Sequence, residues 1–372
     1  MGEISKIQRG ASPRPISDKK WYDTENKTVG WVRIGDVTNS FKFLDETEDY
    51  FSEEGIKKSR FIPKGSLIMS ICATIGKPII TNMDVCIHDG FIGFSELKGI
   101  NEEFLYYNLN ILENKFCSLG QTGSQANLNS DLVRDTKINI PSIKEQEKIV
   151  DFLSKIDKKI ELLEKKYKNK IIFKEEFFNN YISNMYDTEQ KIKLDKLITI
   201  SNERNKNNED IRVLSISNKL GFISQEEQFE DRIVASSDTN NYKIVKKGYF
   251  AYNPARINVG SIARLKDYDK GIISPMYIVF KINENLLNPT FFENYLSTNY
   301  FKLEILKRLE GSVRLILSAD SLKNIEITVP SLDEQNEISA FLNNLSKNIN
   351  LTKKELDNFK EFKKGLLQKM FV

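Results

Sequence analysis

Few residues in this sequence have the types and spacing that chemistry needs. His88 is the only histidine and sits in Cys86-Ile87-His88-Asp89-Gly90, just before an apparent strand. It is the sole candidate base for a serine or cysteine nucleophile, and a single histidine cannot build a His-rich metal site. Its setting reads as a turn or core position. Cys72, Cys86 and Cys117 are odd in number and widely spaced, with no CxxC pair, which points to buried reduced thiols. The sequence has no Gly-rich loop ending in Lys-Ser/Thr, so nucleotide hydrolysis has no visible machinery. No catalytic, cofactor-binding or metal-binding residue is assigned.

Asn253-Pro254-Ala255-Arg256 invites comparison with the Asn/Asp-Pro-Pro-aromatic tetrad of amino-methyltransferases. Ala255 and Arg256 stand where the second proline and the aromatic would be, and no Phe-x-Gly-x-Gly loop accompanies them. The segment reads as a turn at a loop tip with Arg256 facing outward. What remains is a set of polar and basic loops. They include Gly10-Ala11-Ser12-Pro13-Arg14, Lys57-Lys58-Ser59-Arg60 and Gly123-Ser124-Gln125-Ala126-Asn127, and later residues 253–258 and 311–314. Arg pairs bidentately with guanine and Asn or Gln with adenine, while Lys, Ser and backbone N–H groups suit phosphates. The candidate nucleic-acid contacts are therefore Arg14, Lys57, Arg60, Ser124, Gln125, Asn127, Asn253, Arg256, Asn258, Ser312 and Arg314.

Strands must carry these loops. Trp31-Val32-Arg33-Ile34 reads as a strand ending in a turn at Gly35-Asp36. Residues 66–71 and 77–81 flank Ile75-Gly76 as a bent pair, and Gly90-Phe91-Ile92-Gly93-Phe94 is another strand. Residues 102–112 read as a helix and 137–140 as a last strand. The pattern then returns. Lys246-Lys247-Gly248 matches Pro63-Lys64-Gly65, Val259-Gly260 matches Ile75-Gly76, and Phe280 falls where Phe94 does. Residues 286–309 carry the helical pattern, and Glu310-Gly311-Ser312-Val313-Arg314 replaces the loop around Ser124.

The repeat is strongest at Ile140-Pro141-Ser142-Ile143-Lys144-Glu145-Gln146, which recurs as Val329-Pro330-Ser331-Leu332-Asp333-Glu334-Gln335. A helix follows each copy. In the first, Ile149, Leu153, Ile156, Ile160, Leu163 and Tyr167 form a coiled-coil seam; Ile338, Leu342, Leu345, Ile349 and Leu356 form the second. The first helix, from Glu145 to about Ser183, would span roughly 58 Å at about 1.5 Å per residue. Beyond Tyr167 its seam drifts through Ile171, Phe173, Phe177, Phe178 and Tyr181, which suits packing against a domain. A lone helix with one apolar stripe is not stable in water, and the simplest partner for this stripe is its copy. The chain thus reads as an α+β protein: two similar mixed α/β domains and two long helices packed as an antiparallel coiled coil, a pseudo-two-fold dumbbell.

Composition agrees with this plan. The 372 residues are 40% hydrophobic and 29% charged, a globular profile long enough for two or three domains. Net charge is +3, a mild basic excess that permits nucleic-acid binding without demanding it. No run is long and apolar enough to span a membrane, and the start lacks a secretory layout, so a cytoplasmic location without membrane attachment is expected.

These residues resemble the specificity subunits of type I restriction-modification systems. The likeness is carried by Trp31-Val32-Arg33-Ile34-Gly35-Asp36-Val37, Ser70-Ile71-Cys72-Ala73-Thr74-Ile75-Gly76-Lys77, residues 120–129 leading to Ile140-Pro141, Tyr252-Asn253-Pro254-Ala255-Arg256-Ile257, residues 271–280, and the Pro330 to Gln335 junction. It covers essentially the whole chain, and the order of domain, spacer, domain, spacer is its most specific feature. It implies target-recognition domains at 1–141 and 187–330, with spacer helices at 142–186 and 331–372. Each domain would read one half of a split site in double-stranded DNA through the major groove, with the helices setting the gap. It further implies two methylation subunits docked on the helices, and restriction subunits in the full complex. S-adenosylmethionine, ATP and Mg would be bound only by those partners, leaving this chain without catalysis or cofactor. The short lead before Trp31 departs from the family pattern, so the first domain is expected to be trimmed there or completed by the C-terminal segment. Two other classes compete: a self-contained methyltransferase or nuclease, and a coiled-coil scaffold joining two protein-binding domains.

Overall fold

The computed structural model describes residues 1–120, 127–186, 191–207, 209, 211–218, 220–224, 239–311 and 315–371. The chain forms two compact units, Met1–Lys165 with Lys353–Val372, and Lys166–Thr352. Each unit takes part of both long helices.

The first unit holds two sheets. In one, Phe43–Leu44, Pro78–Thr81, Leu67–Ser70, Phe91–Ser95 and Lys6–Arg9 lie side by side in that order. In the other the order is Asp49–Tyr50, Gly30–Val32, Val85–Ile87 and Arg60–Ile62, with Gly30–Val32 parallel to Val85–Ile87. Leu67–Ser70, Pro78–Thr81 and Val85–Ile87 are buried along their whole length, which explains their unbroken apolar sequences. The second unit repeats this topology, except that none of its described strands corresponds to Phe43–Leu44. One sheet runs Ile198–Ser201, Ile278–Ile282, Phe250–Tyr252, Ile262–Arg264. The other runs Gly221–Ser224, Val213–Ser217, Lys270–Ile273, Lys243–Lys246, and again its two middle strands are parallel. Register confirms the equivalence: Leu67 pairs with Phe94 as Phe250 pairs with Phe280.

Three local expectations are corrected. The strand at Trp31 stops at Val32, and the helix Ile34–Asn39 begins where a turn was expected, because Asp36 Oδ2 accepts from Arg33 N–H (2.7 Å) and caps it. Residues 137–140 form no strand, whereas their counterpart Glu326–Thr328 pairs with Lys191–Lys193. The helical stretch 286–309 is two helices, Pro289–Tyr295 and Asn299–Lys307. Asn288 caps the first, and Thr298 Oγ1 accepts from Phe301 N–H (3.3 Å) to start the second.

The long helices are Ile143–Met185 and Leu332–Met370. They run antiparallel. In the first unit Asp157 meets Lys363 and Glu164 meets Lys360; in the second, Lys170 meets Thr352 and Phe177 meets Phe341. Leu153, Ile156, Ile160 and Leu163 are buried in the first unit's core beside Leu356, while Ile149 packs at its edge. Ile338, Leu342 and Leu345 pack in the second unit's core with Phe178 and Ile182. Tyr167 and Ile349 are half-buried. The stripes thus pack against sheets and domain helices as well as against each other. Leu366, Leu367, Met370 and Phe371 join the first unit's core, where Phe371 meets Phe104, so the C-terminal segment completes that domain.

Polar groups fix the register. Lys42, only 3% exposed, contacts Glu103, Tyr107 Oη (3.0 Å) and Ser154 Oγ (3.2 Å). Tyr107 donates to Asp157 (2.7 Å), which pairs with Lys363 (2.6 Å). Burial and the Asp157 charge push the Tyr107 hydroxyl up, keeping it a neutral donor. Buried charges persist only when paired, so sliding one helix past the other would strand several at once.

The repeated glutamine has the same task in both units. Gln146 Oε1 accepts from Asn101 N–H (2.8 Å), and its Nε2 donates to Gly99 O (3.1 Å) and Pro141 O (2.8 Å). Gln335 Oε1 accepts from Asn288 N–H (2.7 Å), and its Nε2 donates to Leu286 O (3.1 Å) and Pro330 O (2.9 Å). Both side chains are buried, and each ties a long helix to the start of a domain helix. Gln146→Leu leaves a buried N–H and two carbonyls without this partner. Its expected effect is a loss of about 1–3 kcal/mol per stranded group, read as a lower urea midpoint, and Gln335→Leu should match it.

Candidate nucleic-acid interface

In the first unit, loops from distant parts of the sequence meet at one end of the sheets. A tight turn at residues 88–91 closes with Phe91 N–H donating to His88 O (3.0 Å). Ile71 N–H donates to Gly90 O (2.8 Å), and Leu128 N–H to Ile71 O (2.8 Å). A bridge between Cys72 and Asn127 continues that line. On the other side, Gly10 N–H donates to Phe91 O (2.9 Å) and Ala11 N–H to Ile87 O (3.0 Å). Ser59 Oγ donates to Ala11 O (2.7 Å), Arg9 Nε to Asp89 O (2.6 Å) and Arg60 Nε to Arg9 O (3.4 Å). Gly10 is required here, because a Cβ at that position would sit 2.1 Å from His88 O.

The second unit builds the same edge from different residues. Its turn at 274–277 closes with Tyr277 N–H donating to Ser274 O (3.1 Å), and Leu317 N–H donates to Pro254 O (3.0 Å) as Leu128 does to Ile71. Glu310 and Ile316 bridge across the base of the loop that replaces 121–126. Lys243 takes the place of Arg60: the two pair with Ile273 and Ile87, and Lys243 Nζ donates to Tyr277 O (2.7 Å).

The expected contact residues fall as follows. Arg14 is exposed on the loop after Gly10, Lys57 ends the short helix Glu53–Lys57, and Arg60 opens the strand Arg60–Ile62; both are exposed. Asn127 is exposed beside Cys72. Ser124, Gln125, Ser312 and Arg314 lie outside the described residues. Arg256 and Asn258 are exposed, with Arg256 leading into the 3-10 turn Ile257–Val259. Asn253 is turned inward at 6% exposure. Its Oδ1 accepts from Ala255 N–H (3.0 Å) and its amide lies 3.9 Å from Met276 Sδ, so it shapes the loop that presents Arg256. The sequence reading missed Arg9 and the turn at 88–91 as parts of this edge. Alternating strand residues cannot reveal which turns share an end of a sheet.

The first unit's edge is rich in exposed cationic donors. Arg9, Arg14, Lys57, Lys58 and Arg60 are exposed cations, and burial holds His88 below its ordinary pKa. Burial pushes the Cys86 thiol up to about 11, which leaves it a poor nucleophile. Among the described residues, no group of three or more His, Cys, Asp or Glu side chains could hold a metal ion. Among the same residues, no helix is long and apolar enough to cross a membrane.

Comparison with known proteins agrees with the internal repeat. Residues 1–172 and 188–361 each match the family model described as Type I restriction modification DNA specificity domain. The chain is 22% identical to the Type I restriction enzyme MjaIX specificity subunit of Methanocaldococcus jannaschii over 99% of its own length and 90% of that protein. It is 24% identical to the Type I restriction enzyme EcoR124I/EcoR124II specificity subunit of Escherichia coli, over 45% of each chain. Its fold is similar to the S subunit of a type I restriction-modification system from M. genitalium, with a TM-score of 0.61 at 15% identity, covering 100% of this chain and 94% of that one. With two copies of the domain, the same strand order in both and long helices packed together, the chain belongs to the type I restriction-modification specificity subunit family.

Proposed function

We propose that each unit reads one half of a bipartite DNA sequence through its loop edge, and that the chain is a non-catalytic subunit serving adenine-methylating partners. The observation that carries this reading is the pair of equivalent edges. Two units share strand order and register over the strands they have in common, yet fill corresponding positions on the edge with different side chains: Arg60 against Lys243, Ile71 against Pro254, His88 against Ser274. A common frame with divergent tips suits two readers of different base sequences. Arg14, Lys57 and Arg60 in the first unit, and Arg256 and Asn258 in the second, supply the base and phosphate contacts in the major groove. Ser124, Gln125, Asn127, Ser312 and Arg314 complete the two sets. The long helices set the gap between half-sites and dock two methylation subunits, with restriction subunits joining in the full complex. S-adenosylmethionine, ATP and Mg belong to those partners. Exposed apolar residues on the helices, including Phe152, Leu162, Phe173 and Phe362, support the docking part of this reading.

The reading is tested by mapping modified adenines in a genome that carries this gene and its neighbours. The expected result is methylation confined to one split sequence; methylation without regard to sequence would overturn it. Helix length supplies a second test. One heptad inserted into both helices should lengthen the gap and leave both half-sites unchanged, whereas altered half-sites with an unaltered gap would remove the spacing role.

A further inference from the structure

We propose that His88 reads an acceptor on a DNA base edge through its Nε2–H, making it a specificity-determining residue of the first unit. This rests on the functional reading above and goes further by naming a residue and the atom that acts. Gly90 N–H donates to His88 Nδ1 (2.9 Å), so Nδ1 carries the lone pair and the neutral ring holds its proton on Nε2. Asp89 Oδ1 is 3.7 Å from Nδ1, too far to compete for that position. The ring is clamped edge-on by Phe91 at 4.8 Å between centroids and flanked by Trp31 at 5.8 Å, so the direction of the donor is fixed. Nε2 has no hydrogen-bond partner among the described residues, and the side chain keeps 21% of its surface open.

Position adds a second argument. His88 starts the turn onto which the Gly10 loop, Arg9 and Ile71 all fasten, so it stands at the meeting point of the first unit's loops. The corresponding residue of the second unit is Ser274, whose hydroxyl likewise has no hydrogen-bond partner among the described residues. Both turns thus begin with a residue that keeps one polar side-chain group without a hydrogen-bond partner among the described residues, Nε2 of His88 and Oγ of Ser274. A rigid neutral donor suits guanine O6, purine N7 or thymine O4 in the major groove.

Two substitutions separate the ring's two nitrogens. His88→Asn places an amide oxygen near Nδ1, keeps the acceptor for Gly90 N–H and removes the outward donor. His88→Gln carries an amide N–H out toward Nε2 and gives up the inner acceptor. Each variant chain, assembled with its methylation partners, is presented with a library of duplexes randomised across the first half-site, and the modified sequences are read. Thermal unfolding of the same complexes checks the fold. The expected result is that the His88→Asn complex still unfolds in one cooperative transition, with a midpoint lowered by the lost ring contacts, yet loses selectivity on the order of tenfold at one base position of one half-site. The other half-site and the gap stay unchanged, and His88→Gln retains part of the preference. Wild-type selectivity in His88→Asn would overturn the proposal while leaving the functional reading intact. A wild-type complex that modifies the library without selectivity would overturn the functional reading itself, and the proposal with it.

Discussion

The structure depends on one buried amide used twice. A long helix gains little from its own propensity and is held by what its stripe and its first turn contact. Gln146 and Gln335 each offer one acceptor and two donor hydrogens to groups that the domain leaves unpaired, namely a helix-start N–H and two loop carbonyls. Because these bonds are directional and buried, they set the helix's angle and register against its domain in a way apolar packing alone does not. The apolar stripe then supplies area: Leu153, Ile156, Ile160 and Leu163 in one unit, Phe178, Ile182 and Leu342 in the other. In the first unit the chain from Lys42 through Tyr107 and Asp157 to Lys363 adds a charged check on register.

Helices and loops differ in what the two units keep in common. The sheets of the two units share their strand order apart from the extra edge strand Phe43–Leu44, and at one end of each the same backbone bonds recur, Leu128 to Ile71 and Leu317 to Pro254. Exposed side chains that make no bond to that frame are free to differ. Arg14 and Arg256 are exposed tips of this kind. Other side chains serve the frame: Asn253 Oδ1 caps the turn that exposes Arg256, and Arg9, Ser59, Arg60 and Lys243 donate to backbone carbonyls of the edges. One backbone frame thus carries two different sets of exposed tips in this chain.

Much of this was legible in the sequence, for physical reasons. The seam residues recur at helical spacing, so the long helices and their pairing followed from periodicity, and the repeated Pro-Ser and Glu-Gln residues marked both junctions. The glutamine's role was not legible, since its partners Asn101 and Gly99 carry no pattern that distinguishes them. The helix at Ile34–Asn39 was hidden because its cap comes from Asp36 inside the first turn. The break at Thr298 was masked by apolar residues on both sides that keep helical spacing. The loop edge was visible only as separate polar segments. Which segments meet is decided by strand order, and the crossover that sets Gly30–Val32 parallel to Val85–Ile87 leaves no trace in local sequence.

The central claim is that two equivalent edges each engage DNA while the helices between them do not read bases. Hydroxyl-radical footprinting of the assembled complex on its target tests it most directly. The account predicts two protected stretches separated by an accessible gap, with substitutions at Arg60 and Arg256 each weakening a different stretch. A single continuous footprint, or two stretches that weaken together when either arginine is changed, would contradict it.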